Sequence, residues 1–169
     1  MGQYQRKGGK CMKIVEQIID NVGGLKALYL LPRADVTRID ANASTGHVVP
    51  VMRTRDNIIK VDVFDPNEFQ FQEDMTIEDG GAQFAVSITG VIKGMRNLCQ
   101  VREMENGEWL AVHQDVNGTI LLSGTKDIPL RFVTSKASGA SASRNSVAFT
   151  LHSIQTEGSR VCEGEINEQ

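Results

Sequence analysis

The sequence predicts a mainly β protein: an antiparallel β-sandwich or barrel with one flanking α-helix at about residues 94–105. Three observations lead to this prediction. Segments of alternating apolar and polar residues recur along the chain, and this alternation is the period of a strand with one buried face. Turn-forming residues separate the segments. A single stretch after residue 93 changes to a helical period.

The first predicted strands are short. Residues 26–32 are an apolar run that ends in proline, and residues 36–40 can extend the same sheet. Residues 57–64 are rich in β-branched side chains, which favour strands. We therefore expect the domain to open with three strands separated by polar loops.

Clear alternation follows in residues 68–78 and again in residues 82–92, with a Gly-Gly turn between them. Glu73 falls on the apolar side of the first segment, which indicates a bulge, a paired charge or an exposed strand end there. The other residues on that side of the first segment are Phe69, Phe71, Met75 and Ile77.

A helical period begins at residue 94 and ends at Asn106–Gly107, a common C-terminal stop. Asn117–Gly118 then stands between two alternating segments. This pair predicts a hairpin with a two-residue type I′ turn, which needs positive φ at both positions. The residues expected on one face of the helix are Met95, Leu98, Val101 or Arg102, and Glu105.

Residues 129–133 and 146–154 complete the predicted strands. The chain then divides into residues 1–22, an N-terminal arm or short helix, residues 23–154, the β-domain, and residues 155–169, a C-terminal tail. The side chains that we expect to be largely buried are Phe84, Ile88, Val112, Leu121, Phe132, Phe149 and Leu151.

The composition is that of a soluble globular domain, with 169 residues, 40% hydrophobic and 23% charged. A net charge of -3 argues against a general nucleic-acid binder, which normally carries a basic face. The three cysteines are Cys11, Cys99 and Cys162. Their odd number and wide spacing indicate reduced thiols rather than a disulfide framework. The sequence contains no apolar run long enough to span a membrane and no apolar secretory signal. We expect a product made in the cytoplasm.

No pattern predicts catalysis or a cofactor. The histidines are His47, His113 and His152, and no nucleophile motif accompanies them. His113 and His152 fall on the less apolar sides of their segments, so we expect both at the surface. The spacing of cysteines and histidines does not match a metal site. The sequence therefore predicts a protein that is not an enzyme and holds no metal or cofactor.

The connection between the last two predicted strands is unusually long and contains no large apolar residue. Such a segment lacks contacts that would hold it on its own core, so we expect a neighbouring subunit to order it. Arg144 would pair with a partner carboxylate. The residues of this predicted assembly interface are Ser135, Lys136, Ser138, Gly139, Ser141, Ser143, Arg144 and Asn145.

Three stretches together resemble the tail-tube-like structural proteins of phages and prophages of Bacteroidetes. They are "GGLKALYLLPRADVTRI", "WLAVHQDVNGTILLSGTKDIPLRF" and "SGASASRNSVAFTLHS", in that order. The similarity covers residues 23–153. It implies the sandwich or barrel shared by phage tail tubes and type VI secretion tubes.

The resemblance also implies a virion structural protein that self-assembles into stacked, commonly hexameric rings. Its partners would be copies of itself and other tail or neck proteins, and DNA would pass through the tube without specific binding. Neck and tail-terminator proteins share related folds and remain alternatives. A β-domain that binds a small ligand or carbohydrate also remains, with Trp109 as its stacking residue.

Overall fold

The structure, a computed structural model, describes residues 23–93, 98–137 and 145–163. Eleven strands, one α-helix and two 3₁₀ turns are assigned in this part of the chain. In order they are β1 (Leu25–Pro32), a 3₁₀ turn (Arg33–Asp35), β2 (Val36–Ala41), β3 (Val48–Met52), β4 (Ile59–Val61), a 3₁₀ turn (Pro66–Glu68), β5 (Gln70–Glu78), β6 (Gly81–Lys93), α1 (Leu98–Asn106), β7 (Glu108–Asp115), β8 (Ile120–Ser123), β9 (Leu130–Ala137), β10 (Ser146–Gln155) and β11 (Arg160–Val161).

The predicted fold class is confirmed, because the described chain is mainly β with a large antiparallel sheet and one helix. The prediction that residues 36–40 extend the first sheet is wrong: β2 pairs with β3 in a separate two-stranded sheet. Pro32 and the 3₁₀ turn after it redirect the chain there, since proline cannot donate to a continuing ladder. The predicted strand 57–64 shortens to Ile59–Val61.

Strand β7 is the centre of the large sheet. β1 pairs along one of its edges, from Leu25 to Pro32. The other edge is divided between β8, which pairs with its second half, and β9, which pairs with Glu108 and Trp109. From β9 the sheet continues through β10 and β6 to β5, while β4 adds to β1 and β11 adds to β8. The named pairs of strands are all antiparallel.

Strands β1 and β7 are buried on both faces because they separate two apolar cores. Leu28 and Leu30 enter the larger core, in which the face of β6, β9 and β10 and the helix meet β1 and β7. Leu31 enters the smaller core, which the β2–β3 hairpin covers. Trp109 fixes the helix to β7, since its Nε1 donates to the Met104 carbonyl at 2.8 Å. The two central strands therefore hold both halves of the domain together.

Residues 160–163 belong to the folded body. β11 pairs with β8, and buried Cys162 packs in the smaller core. Glu163 accepts a hydrogen bond from Thr45 Oγ1 at 3.0 Å, and its Oε1 lies 3.1 Å from His47 Nδ1. These contacts join the end of the described chain to the β2–β3 hairpin.

The larger core is organised around three phenylalanines. Phe149 stacks on Phe132 with ring centroids 5.0 Å apart and meets Phe69 edge-on at 5.8 Å. Gly90 lies opposite Phe149 on β6. A Cβ at Gly90 would approach Phe69 to 2.6 Å and Phe149 to 2.7 Å. Glycine is therefore required here to leave room for the rings.

The hairpin at Asn117–Gly118 exists, but the predicted two-residue type I′ turn is wrong. Gly118 has φ +95°, whereas Asn117 does not have positive φ. Gly118 N donates to the Asp115 carbonyl at 3.2 Å, and Asp115 N donates to the Thr119 carbonyl at 3.0 Å. The loop therefore has three residues. The Asp115 carboxylate favours it, because its Oδ1 accepts from Thr119 N at 2.7 Å.

Most of the expected core is confirmed: Ile88, Val112, Phe132, Phe149 and Leu151 are buried. Phe84 and Leu121 are only partly buried, because they lie at the margins of the packed region. The helix prediction is confirmed for Leu98–Asn106, with Val101 and Met104 buried. Residues 94–97 lie outside the described residues, and with them Met95.

We expect Gly118→Ala to lower the free energy of unfolding by about 1–2 kcal/mol, because a Cβ is disfavoured at positive φ. Urea denaturation measures the change. The matched control is Gly80→Ala, since Gly80 also lies in an exposed turn but has no positive φ. Equal effects of the two changes would contradict the assigned three-residue loop.

We expect Gly90→Ala to cost about 1–3 kcal/mol, since the new methyl group overlaps two buried rings. Phe149→Leu should relieve part of that overlap. In a double-mutant cycle, the two changes together should therefore destabilise by less than the sum of the single effects. Strict additivity of the two free-energy changes would show that the ring of Phe149 is not what disfavours a side chain at position 90.

Candidate assembly interface

The predicted interface residues that the structure describes lie at one end of the β9–β10 pair. Ser135 and Lys136 are on β9, where they pair with Ala148 and Val147 of β10. Asn145 directly precedes β10 and is exposed. The role of this connection in assembly stays a prediction. The predicted residues that lie outside the described part of the chain are Ser138, Gly139, Ser141, Ser143 and Arg144.

Lys136 already has a partner within its own chain. Its Nζ lies 3.1 Å from Glu105 Oε1, and Thr134 also donates to that oxygen. Hydrogen bonds from Thr134 and then Lys136 hold the pKa of the Glu105 carboxyl below its usual range. These contacts connect α1 to β9 and so position the start of the connection.

A different surface is the end of the β5–β6 hairpin, residues 74–83, which we call the hairpin tip. These residues are all exposed. They remain paired in register out to Glu78 and Gly81, so the hairpin extends beyond the packed body as a regular ribbon. Among the described strands, β5 pairs with β6 alone. The other edge of β5 therefore presents backbone N–H and C=O groups to solvent.

One face of the hairpin tip is apolar and continues the face of the larger core. Phe71 and Glu73 lie on the same side of β5 as Met75 and Ile77, in alternation. Met75 is 58% exposed and Ile77 is 76% exposed. Glu73 lies where the body ends, and its Oε2 accepts from Ser159 N at 2.6 Å. A backbone amide therefore holds this carboxylate on the otherwise apolar side of the strand.

The hairpin tip is also acidic. It contains Asp74, Glu78 and Asp79 and neither lysine nor arginine. Gln72 Nε2 donates to Asp74 Oδ2 at 2.7 Å, at the start of the tip. The tip thus combines an apolar face with three carboxylates.

A basic cleft of about 630 Å³ lies where β7 and β9 begin. Glu108 stands between two arginines: its Oε2 is 2.6 Å from Arg33 Nη1, and its Oε1 is 2.6 Å from Arg131 Nη2. The Arg33 guanidinium, with Arg131 nearby, holds the pKa of the Glu108 carboxyl below its usual range. Lys126, Pro32 and Trp109 also line the cleft.

The basic cleft has excess positive charge. Its lining residues include three cations, Arg33, Lys126 and Arg131, against one carboxylate, a net charge of +2. Lys126 is exposed, and its Nζ donates to the Thr37 carbonyl at 3.1 Å. No local pattern indicates this cluster, because Arg33 precedes Lys126 by 93 residues and reaches Lys126 and Arg131 only after the strands pair.

The prediction that His113 is at the surface is wrong. Its side chain is buried, with the residue 1% exposed, and its ring lies on Phe71 at 4.5 Å between centroids. Its Nε2 is 2.9 Å from Ser123 Oγ, which is 2.7 Å from Ser159 Oγ. Burial lowers the pKa of His113 to about 4, so the ring is neutral at pH 7. Because β7 is covered on both faces, neither face is available for a solvated histidine.

The Ser123–His113 contact has the atoms of a nucleophile and a base, but it does not form an accessible site. Ser123 is fully buried. A cleft of about 570 Å³ lies beside His113, and its lining includes Phe71, Asp115 and Asn67 but not Ser123. We interpret the contacts of Ser123 with His113 and Ser159 as a structural hydrogen-bond network that connects the C-terminal segment to β7 and β8.

The remaining features considered in the sequence are one further histidine, the cysteines, metal ligands and membrane-spanning helices. His152 is exposed on β10, as predicted. Cys99 and Cys162 carry free thiols, and Cys11 lies outside the described residues. Within residues 23–93, 98–137 and 145–163, no group of three or more His, Cys, Asp or Glu side chains is placed to hold a metal. The helix in this part of the chain is too short and polar to cross a membrane.

Trp109 cannot serve as the stacking residue of a carbohydrate site in this conformation. It is 6% exposed and its indole donates to Met104 within the fold.

Comparisons with protein-family models, curated proteins and solved structures give no match to this chain.

Acid should destabilise the fold through His113. Its folded pKa of about 4 is below the unfolded value near 6.5, so its neutral form favours folding above pH 6.5. This contribution is lost as the pH falls from 6.5 towards 4. Between pH 7 and pH 5 we expect a loss of about 2 kcal/mol, measured by urea denaturation.

His113→Gln should remove most of this pH dependence, although it lowers stability at pH 7. His152→Gln is the control and should leave the pH dependence unchanged, since His152 is exposed. A His113→Gln profile parallel to that of the wild type would show that other groups cause the acid sensitivity.

Proposed function

We propose that this protein is a self-assembling structural subunit whose copies associate through the hairpin tip. The specific form of the proposal is a phage tail-tube protein, made in the host cytoplasm, whose rings stack into a conduit in the virion tail. The main support for self-assembly is the apolar face that Met75 and Ile77 form on a regular ribbon outside the packed body.

In an isolated subunit, the exposure of Met75 and Ile77 to water at the hairpin tip is unfavourable in free energy. Exposed apolar side chains on an unpaired edge strand form a template for association, and stable monomeric proteins usually shorten or cover such edges. Here the ribbon keeps its register to the turn, so its apolar face is presented in a fixed geometry. Burial against a partner would remove Met75 and Ile77 from water at little further cost in backbone ordering.

The tail-tube form of the proposal is supported by the resemblance of residues 23–153 and by the charge of the chain. A net charge of -3 suits a conduit that DNA passes without specific binding, because phosphate binding requires basic surfaces. Ring partners would be copies of this chain, and end partners would be other tail or neck proteins. A neck or tail-terminator ring would use the same surfaces.

A second candidate function is small-ligand binding, favoured by the cleft beside Phe71 and His113. Its volume of about 570 Å³ falls in the usual range for ligand sites, and Asn67, Gln70 and Asp115 offer polar groups. This candidate predicts a monomer that binds a ligand with saturation.

Self-assembly is tested by sedimentation velocity and negative-stain electron microscopy of the full-length protein. We expect rings or tubes in the wild type and their loss in Met75→Ser/Ile77→Ser, which removes the apolar face. At concentrations where both proteins are monomeric, thermal melting should be nearly unchanged, because both side chains are exposed in the subunit.

The matched control is Val133→Ser/Ile154→Ser, which removes two exposed apolar side chains from β9 and β10. It should assemble like the wild type. Normal assembly of Met75→Ser/Ile77→Ser would contradict the role of the hairpin tip, and a wild type that stays monomeric while binding a ligand would favour the second candidate.

A further inference from the structure

We propose that the acidic hairpin tip of one copy docks in the basic cleft of a second copy. This inference rests on the proposed self-assembly and names the surface that receives the hairpin. The charges are opposite: three carboxylates on the tip and a net charge of +2 among the residues that line the cleft. Every copy of the chain therefore carries both an acidic tip and a cleft of the opposite charge.

The cations of the cleft retain donors for an incoming carboxylate. Arg33 uses Nη1 for Glu108 and Nε for the Lys126 carbonyl, and Arg131 uses Nη2 for Glu108. A guanidinium has five N–H donors, so each arginine has further donors. Glu108 holds both guanidinium groups in place before a partner arrives, which lowers the ordering cost of binding.

The cleft can also receive the apolar side chains of the tip. Partly buried Pro32 and exposed Ala34 contribute apolar surface, and a volume of about 630 Å³ admits side chains as large as those of Met75 and Ile77. Docking would cover the apolar face while the carboxylates of the turn reach the surrounding cations. Charged groups at the rim and apolar groups inside are the usual arrangement of a protein interface.

Pairing between two hairpin tips is disfavoured, because it would bring two sets of tip carboxylates together without a cation from either tip. The tip and the cleft are different surfaces, so their contact is heterologous. Such a contact repeats from copy to copy and produces a closed ring or an open filament. The inferred contact is therefore of the kind that a ring or tube requires.

The experiment reverses charge on each surface in the full-length protein and follows assembly by sedimentation velocity. Glu78→Lys/Asp79→Lys changes the tip from a charge of -3 to +1. Lys126→Glu/Arg131→Gln changes the cleft from +2 to -1, while the new amide at position 131 can still donate to Glu108. We expect each variant alone to associate about tenfold or more weakly than the wild type.

Mixing the two variants should restore assembly. The reversed tip then meets the reversed cleft, and the unchanged tip meets the unchanged cleft, so copies alternate. Wild-type association should also weaken between about 0.1 M and 1 M salt, where screening becomes strong. Asp62→Lys/Glu103→Lys is the matched control: it makes the same change in net charge as the tip variant at two exposed sites and should assemble like the wild type.

The outcomes separate the inference from the proposed function. If the wild type assembles and Glu78→Lys/Asp79→Lys assembles equally well, the inferred docking is wrong and self-assembly stands. If the variants dissociate but their mixture does not reassemble, the tip and cleft do not meet each other and the inference is also wrong. A wild type that is monomeric under every condition would overturn both.

Discussion

Burial of β7 on both faces is the constraint on which the rest of the structure depends. Ala111 and Trp109 face the larger core, and Leu110 and Val112 face the smaller one. A strand in this position must satisfy every polar side chain internally. His113 meets that requirement as a neutral ring hydrogen-bonded to Ser123, and its depressed pKa is the consequence. The acid sensitivity of the fold is therefore expected to originate in the buried middle of β7, Trp109–His113.

The order of strands that follows from β7 leaves β5 at an end of the sheet. Its first part is covered, since Phe69 just before it is buried and Phe71 packs against the larger core. Its second part is uncovered, although the same alternation continues through Met75 and Ile77. The apolar face of the hairpin tip is thus an extension of a core face beyond the elements that could cover it. Within the described residues, no element covers this face.

Local sequence patterns predicted most of the strands and the helix because alternation and helical periodicity are properties of neighbouring residues. They failed where a distant element decides the outcome. His113 looked like a surface residue because alternation assumes one solvated face, which β7 lacks. Met75 and Ile77 share the apolar side of their strand with Phe71, and nothing local shows where the covering elements end. Arg33 directly follows β1, whereas Lys126 and Arg131 belong to the β8–β9 loop and β9, so the pairing of β7 with both β1 and β9 brings the three cations to one place.

In the proposed assembly, the carboxylates of the hairpin tip also limit which surfaces the tip can pair with. An apolar edge strand without charge would pair with any other exposed edge, and aggregation would compete with ordered association. Asp74, Glu78 and Asp79 repel a second copy of the same tip and so disfavour that pairing. The proposed docking then requires a basic surface. Its specificity would arise because acidic surfaces repel the tip while the basic cleft attracts it. In the proposed assembly the same three carboxylates would keep the tips of separate copies apart and would bind the tip to the basic cleft.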